Sequence, residues 1–285
     1  MAPSPDRAAV PATTVQPTAH PLLARILSGL VLGPVTLAVV WFGGAAFDLF
    51  LALAGCLMAR EWSRMTARDQ AGWTGTALAL MAIAALGATT AGVPPGQASI
   101  GLLGGALVVY GLGRSAGVQA PIWLAAGVVS VGLPCVAFVW LRGVPEVGRA
   151  AVFWLFAVVW ATDIGAYAVG RSVGGPRLAP RISPNKTWSG LLGGMLAAAV
   201  VGGGGAAWFG AGAWLGPALL GGMLAVVAQG GDLGESLAKR RFGVKDTGAL
   251  IPGHGGLLDR VDGLLPTAPV MAVLVWLKGG SVFGW

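Results

Sequence analysis

The feature that most constrains this chain is a series of apolar runs, each close to the length that crosses a lipid bilayer. They lie near residues 26–42, 45–59, 72–92, 99–113, 121–141, 150–170, 189–209, 212–230 and 264–280. A helix satisfies its own backbone groups and spans the hydrocarbon core in about 20 residues. The runs therefore predict about nine transmembrane helices. The first two are short, and eight spans follow if they form one broken pair. Only 10% of the residues are charged, against about 25% in a soluble domain. Too few charges to cover a globular surface exclude a soluble enzyme, a disordered chain and a nucleic-acid-binding module, despite the net charge of +7. The expected fold class is all-α, a polytopic integral membrane helical bundle.

The placement of basic residues orients it. Arg60, Arg64 and Arg68 fall between the second and third runs, and Arg171, Arg177, Arg181 and Lys186 between the sixth and seventh. Lys239, Arg240, Arg241, Lys245 and Arg260 fall between the eighth and ninth. With nine spans these loops share one face, which the positive-inside rule makes cytoplasmic. Arg142 and Arg149, beside Glu146, depart from the pattern. The expected location is the cell (inner) membrane, with the N-terminus inside. Residues 1–22, rich in Pro, Thr and Ala, read as a disordered cytoplasmic tail. Residues 23–142 read as an N-terminal transmembrane bundle in which Asp48 is the main ionisable group, and 143–285 as a C-terminal catalytic region. Cys56 and Cys135 sit in apolar runs, and His20 and His254 are the only histidines. A disulfide framework and a multi-histidine zinc site are thereby excluded. Gly101 with Gly105, and Gly190 with Gly194, have the four-residue spacing that lets helices approach closely.

Chemistry concentrates in residues 231–263, GDLGESLAKRRFGVKDTGALIPGHGGLLDRVDG. Its first part reads as a helix end with Asp232, Glu235, Ser236 and Lys239 on one face. Glycines and Pro252 then rule out a regular helix, and irregular backbone beside membrane helices is tolerated where it lines a polar cavity. Asp259 and Asp262 stand three apart at the start of the last span, so that three carboxylates can converge with Asp232. Such a set without His or Cys suits a hard divalent cation such as Mg²⁺, which shares its positions with water and phosphate. Lys239, Arg240, Lys245 and Arg260 surround it with positive charge. Acids for a metal and bases for phosphates suit phosphoryl or nucleotidyl transfer. Salt bridging is the plain alternative, above all for the i,i+4 pair Glu235–Lys239. A second polar segment, residues 161–190, holds Asp163, Tyr167 and then Ser183-Pro-Asn-Lys-Thr187 before the seventh run. Hydroxyl, amide and ammonium groups at a helix start form a phosphate-binding surface, although basic residues there also follow from topology alone.

The run from Ser236 to Asp262, S-L-A-K-R-R-F-G-V-K-D-T-G-A-L-I-P-G-H-G-G-L-L-D-R-V-D, resembles the C-terminal signature of the phosphatidate cytidylyltransferase (CDP-diacylglycerol synthase) family. S-P-N-K-T-W upstream, with Asp163 and Tyr167, is similar to that family's second motif region. Ala238 and Asn185 depart from the usual residues. The resemblance is specific over about residues 160–265; the N-terminal half agrees only as a hydrophobic bundle. It implies transfer of the cytidylyl group of CTP to phosphatidate, with release of pyrophosphate, on Mg²⁺ and with a monovalent cation such as K⁺ allowed. Carried onto this chain, it implies metal binding by Asp232, Asp259 and Asp262. Lys239, Arg240, Lys245 and Asp246 join these acids in the catalytic set. Asp163, Ser183, Asn185, Lys186, Thr187, Ser236, His254 and Arg260 would contact substrate. His254 reads as a residue shaping the Pro-Gly-His-Gly-Gly turn. CTP, phosphatidate and the lipid bilayer are the expected partners, with a homodimer allowed and no nucleic acid. A CTP-dependent lipid kinase and a secondary transporter using the same acids are the competing classes.

Overall fold

The structure, a computed structural model, describes residues 21–67, 72–208, 213–251 and 255–280, with side chains from residue 27 onward. Each of the nine apolar runs is a helix. They are α1 (Pro21–Phe42), α2 (Gly44–Ala67), α3 (Thr74–Thr90), α4 (Pro95–Ser115), α5 (Pro121–Gly143), α6 (Gly148–Val173), α7 (Trp188–Trp208), α8 (Leu215–Arg241) and α10 (Leu264–Leu277). A four-residue helix, α9 (Leu258–Val261), precedes α10. Four of these, α4 to α7, are long and apolar enough among the described residues to cross a membrane. Leu107, Leu196, Leu219 and other large apolar side chains point outward, as they do where lipid is the solvent. The tail expected at residues 1–22 and His254 lie outside the residues whose side chains are described.

One buried cluster joins the two halves of the chain, running from Val40 and Phe47 through Leu124 and Leu155 to Met271 and Val275. Close helix approaches are built on small residues, as the glycine spacing predicts. A Cβ on Gly194 would stand 2.9 Å from the carbonyl oxygen of Thr162, and one on Gly190 equally close to that of Ala166. These contacts clamp α6 against α7. Gly105 packs under Met81, whereas Gly101 meets nothing within 4 Å, so only one member of that pair serves packing.

α1 and α2 are separate helices, broken by Gly43 and Gly44 at φ +66° and +59°, a region that L side chains adopt at a cost. Arg142 closes this break. Its Nε donates to the Val40 carbonyl at 2.7 Å and its Nη2 to that of Trp41 at 3.1 Å, filling acceptors left open at a helix end. Arg149 lies over the Trp41 ring at 4.3 Å. The two arginines that depart from the charge pattern are thus tied to α1.

The single sheet among the described residues is a hairpin of β1 (Arg177–Ala179) and β2 (Ser183–Thr187), antiparallel, with Arg177 opposite Thr187 and Ala179 opposite Ser183. It stands in the segment between the sixth and seventh apolar runs that the sequence reads as a loop. Thr187 ends β2 and caps α7, its Oγ1 accepting from the Gly190 N–H at 3.0 Å. That bond satisfies one of the free amides of the first helical turn.

Candidate active site

The last turns of α2, α6 and α8 meet the hairpin, the 242–257 loop and α9 at one end of the bundle. Between α6, the hairpin and α8 lies a cleft of about 660 Å³, lined by Asp163, Tyr167, Arg171, Arg177, Lys186 and Asp232 among others. Lys186 on β2 reaches across it, its Nζ 2.6 Å from Asp232 Oδ2 and 3.4 Å from the Gln229 carbonyl oxygen. Ser236, one turn beyond Asp232 on α8, donates to its Oδ1 at 3.3 Å. Asp262 follows α9 and precedes α10, and its Oδ1 accepts from the Gly263 N–H at 2.8 Å. Burial, then the negative charge of Asp232, pushes the Asp262 carboxyl up to about 7, with Asp163 adding to the effect.

A second group of acids sits beside the first and differs from it in kind. The Asp259 side chain is only 3% exposed. Its Oδ1 accepts from Lys239 Nζ at 2.8 Å, and its Oδ2 from the Thr247 N–H at 3.0 Å, the Gly256 N–H at 2.8 Å and Thr247 Oγ1 at 3.1 Å. Burial alone would raise its carboxyl, but Lys239 and these donors hold it below the usual carboxylate range. Lys239 also donates to Glu235 Oε1 at 3.0 Å, so the expected i,i+4 pair forms and extends to Asp259. Glu235 Oε2 is buried with no hydrogen-bond partner among the described residues.

The structure therefore distributes the carboxylates singled out from the sequence. Asp163, Asp232 and Asp262 share one electrostatic neighbourhood. Asp259 joins Glu235 around Lys239. Among the described residues, no three carboxylate, histidine or cysteine side chains converge closely enough to form a metal site as they stand. Asp259 and Asp262 have different partners although the backbone keeps helical torsions through Asp262 and Gly263: Asp262 accepts from the following amide, and Asp259 from Lys239, Thr247 and Gly256. The hairpin residues also divide. Lys186 faces the cleft, Asn185 lines it and accepts from Arg177 through its carbonyl, and Thr187 is buried in its capping role. Ser183 is half-buried at the start of β2. Arg240 reaches the Ile182 carbonyl at 3.5 Å. Lys245, Asp246 and Arg260 are exposed.

Sequence reasoning missed Glu61. It lies on α2, within the half expected to hold little but Asp48, and is 6% exposed. Its carboxylate accepts from the N–H groups of Leu257 at 2.8 Å and Leu258 at 2.9 Å, and faces Thr247 Oγ1 at 3.3 Å. The available signal was slight: a lone acid between Arg60 and Arg64, just past the apolar run 45–59. Asp48 instead lines a cleft with Gly44, Arg142 and Glu146, residues of the opposite helix ends.

Fold and site together define the class: a helical membrane protein with a polar, cation-lined cleft and paired carboxylates at one end of its bundle. Over residues 23–278 the chain matches the model of the Cytidylyltransferase family, and it belongs to that family. It is 43% identical to a phosphatidate cytidylyltransferase of Brucella suis biovar 1 over 263 residues, covering 88% of this chain and 92% of the relative. It is 35% identical to the Pseudomonas aeruginosa enzyme of the same name over 286 residues, covering 90% and 98%. The similarity takes in the N-terminal half, well beyond the two polar segments that carry the sequence resemblance.

Proposed function

We propose that this protein transfers the cytidylyl group of CTP to phosphatidate, giving CDP-diacylglycerol and pyrophosphate, at the cytoplasmic face of the inner membrane. The observation that supports the reading is the cleft lined by Asp232, Lys186, Arg171 and Arg177, with Asp262 in the electrostatic neighbourhood of Asp232. It offers cations for a triphosphate and carboxylates for a metal, and it opens at the end of the bundle, where a nucleotide from solution and a lipid phosphate can meet.

In this reading a phosphate oxygen of phosphatidate forms a bond to the α-phosphorus of CTP, and the bond from that phosphorus to the bridging oxygen of the β-phosphate breaks. Pyrophosphate leaves with the electron pair. No general base is needed, because a phosphomonoester has a second pKa of about 6 and is mostly dianionic at neutral pH. Lys186, Arg171 and Arg177 hold and neutralise the triphosphate, and Lys239, Arg240 and Lys245 extend the positive field toward the 242–257 loop. Positioning and charge neutralisation are the main sources of rate in such transfers.

The acids fit a hard divalent cation. Asp262 is half-buried against the negative charge of Asp232, with Asp163 adding to it. That describes a site short of positive charge, and Mg²⁺ commonly takes one or two carboxylates and fills its shell with water and phosphate. Asp232 and Asp262 are the proposed holders. Asp259, read from the sequence as a third ligand, has its oxygens on Lys239, Thr247 and Gly256, and its proposed role is to hold the loop beside the ion. Mg²⁺, when bound, supplies charge neutralisation on the reacting phosphates. A monovalent cation such as K⁺ belongs to the same proposal, with no ligands distinguished.

The test uses purified protein in detergent with phosphatidate, Mg²⁺ and CTP labelled at the α-phosphate. Label entering the lipid, with an equal amount of pyrophosphate released, is the expected result. Label recovered in soluble CDP would instead mark a lipid kinase, and label left in CTP, in folded protein, would remove the enzymatic reading.

A further inference from the structure

The segment between α8 and α9 carries Lys245 and Asp246, and among its described residues, 242–251 and 255–257, few backbone hydrogen bonds outside turns hold it. Its one bridge outside turns, among the described residues, pairs Ile251 with Gly255. Two carboxylates supply the rest. Three consecutive N–H groups at the entry to α9 are captured in turn: Gly256 by Asp259, then Leu257 and Leu258 by Glu61. Thr247 stands between the acids, its hydroxyl 3.1 Å from Asp259 Oδ2 and 3.3 Å from Glu61 Oε2, with one proton to share. Glu61 also accounts for two loop glycines. A Cβ on Gly248 would lie 3.0 Å from Glu61 Oε1, and one on Gly256 would lie 2.7 Å from Glu61 Oε2. The loop backbone is thus moulded onto a carboxylate that arrives from 186 to 197 residues away.

We propose that Glu61 is a positioning residue for the transfer reaction: through Thr247 and the α9 amides it fixes the loop and Asp259, and so makes α2 part of the catalytic apparatus. A carboxylate suits the task because it accepts on two oxygens and donates on neither. An amide at the same place turns an N–H₂ toward an N–H, losing one bond and opposing two donors. A hydrogen bond to a charged group is worth enough for a loss of roughly ten- to a hundredfold when it is removed. Among the described residues Glu61 does not line the Lys186–Asp232 cleft, so the loss should fall on kcat and spare the KM for CTP. The part of the inference that concerns turnover rests on the reading above.

The experiment compares wild type with Glu61→Gln in detergent by two measures: steady-state kinetics, and the rate of tryptic cleavage after Lys245, which does not depend on the reaction. In the folded variant kcat should fall roughly ten- to a hundredfold, with KM for CTP within about twofold and cleavage at Lys245 clearly faster. Adding Thr247→Val should cost little more, because both changes break one chain of contacts. Wild-type kcat or wild-type cleavage in folded Glu61→Gln overturns the proposal, as do fully additive losses with Thr247→Val. If Glu61→Gln does not fold, Gly248→Ala, which crowds Glu61 without removing it, is judged by the same two measures. A wild-type protein that transfers no label marks the failure of the cytidylyltransferase reading instead, and the cleavage rates still decide the role of Glu61.

Discussion

Asp232 and Asp259 lie 27 positions apart in one polar segment, and the structure gives them opposite surroundings. Asp232 faces a cleft, partly exposed, with one lysine and one serine for company. Asp259 is enclosed, and its two oxygens are taken up by a lysine, a hydroxyl and two backbone amides. Acids that look equivalent in a motif can therefore divide the work. One keeps acceptor capacity at the surface that substrate reaches. The other spends its capacity on the chain itself, anchoring a loop that regular secondary structure does not support.

The sharpest way to break this comparison is to replace each acid by its amide. Asp232→Asn should lower kcat/KM by about a hundredfold or more, as losing a charge-stabilising group at a reacting centre does, with thermal stability close to wild type. Asp259→Asn should also abolish turnover while leaving membrane insertion intact. In addition it should lower stability by about 2 kcal/mol, because the charged acceptor of Lys239 and the loop amides is lost, although Lys239 keeps Glu235 as a partner. Equal melting temperatures for the two variants would erase the distinction. Wild-type activity in Asp259→Asn would remove that residue from the catalytic account altogether.

A smaller effect concerns Asp262, which lies outside the membrane-spanning helices. Its folded-state carboxyl is raised to about 7 from an ordinary 3.8, so the native protein holds a proton there that the unfolded chain has released. With a chelator present, stability should fall as pH rises from about 4 to about 7, since the native state then binds more protons than the unfolded one. Asp262→Asn should flatten that slope, and Mg²⁺ should protect wild type most at the upper end of the window. Thermal melts across pH, with and without Mg²⁺, measure all three. The smallest effect is expected at Arg240, exposed and joined to the Ile182 carbonyl by a long 3.5 Å contact. Arg240→Gln should raise KM for CTP by no more than a few-fold, and a larger loss would move Arg240 from the rim to the reaction.

Much of this molecule is legible from its chain. The nine main helices follow from the apolar runs, four of them long and apolar enough among the described residues to cross a membrane, and residues 231–263 declare themselves by charge density in an otherwise apolar sequence. What escapes is what depends on distance or on short elements. Glu61 reads as one acid among topological arginines, and its partners are nearly two hundred positions away. The hairpin offers a three-residue strand in a stretch rich in Arg, Gly and Pro, with too little alternation to mark a strand. Asp259 and Asp262 have helical spacing, and the backbone keeps helical torsions between them, but spacing alone does not say that one carboxylate meets Lys239 and the loop amides while the other turns to Gly263.

Equilibrium binding of CTP with Mg²⁺, in the absence of phosphatidate so that no turnover occurs, tests the division between the two acids most directly. The account predicts that Asp232→Asn weakens CTP binding at least about tenfold, or about 1.4 kcal/mol, while Glu61→Gln, which disturbs only the Asp259 side, binds CTP as wild type does. Unchanged CTP binding in folded Asp232→Asn would contradict it.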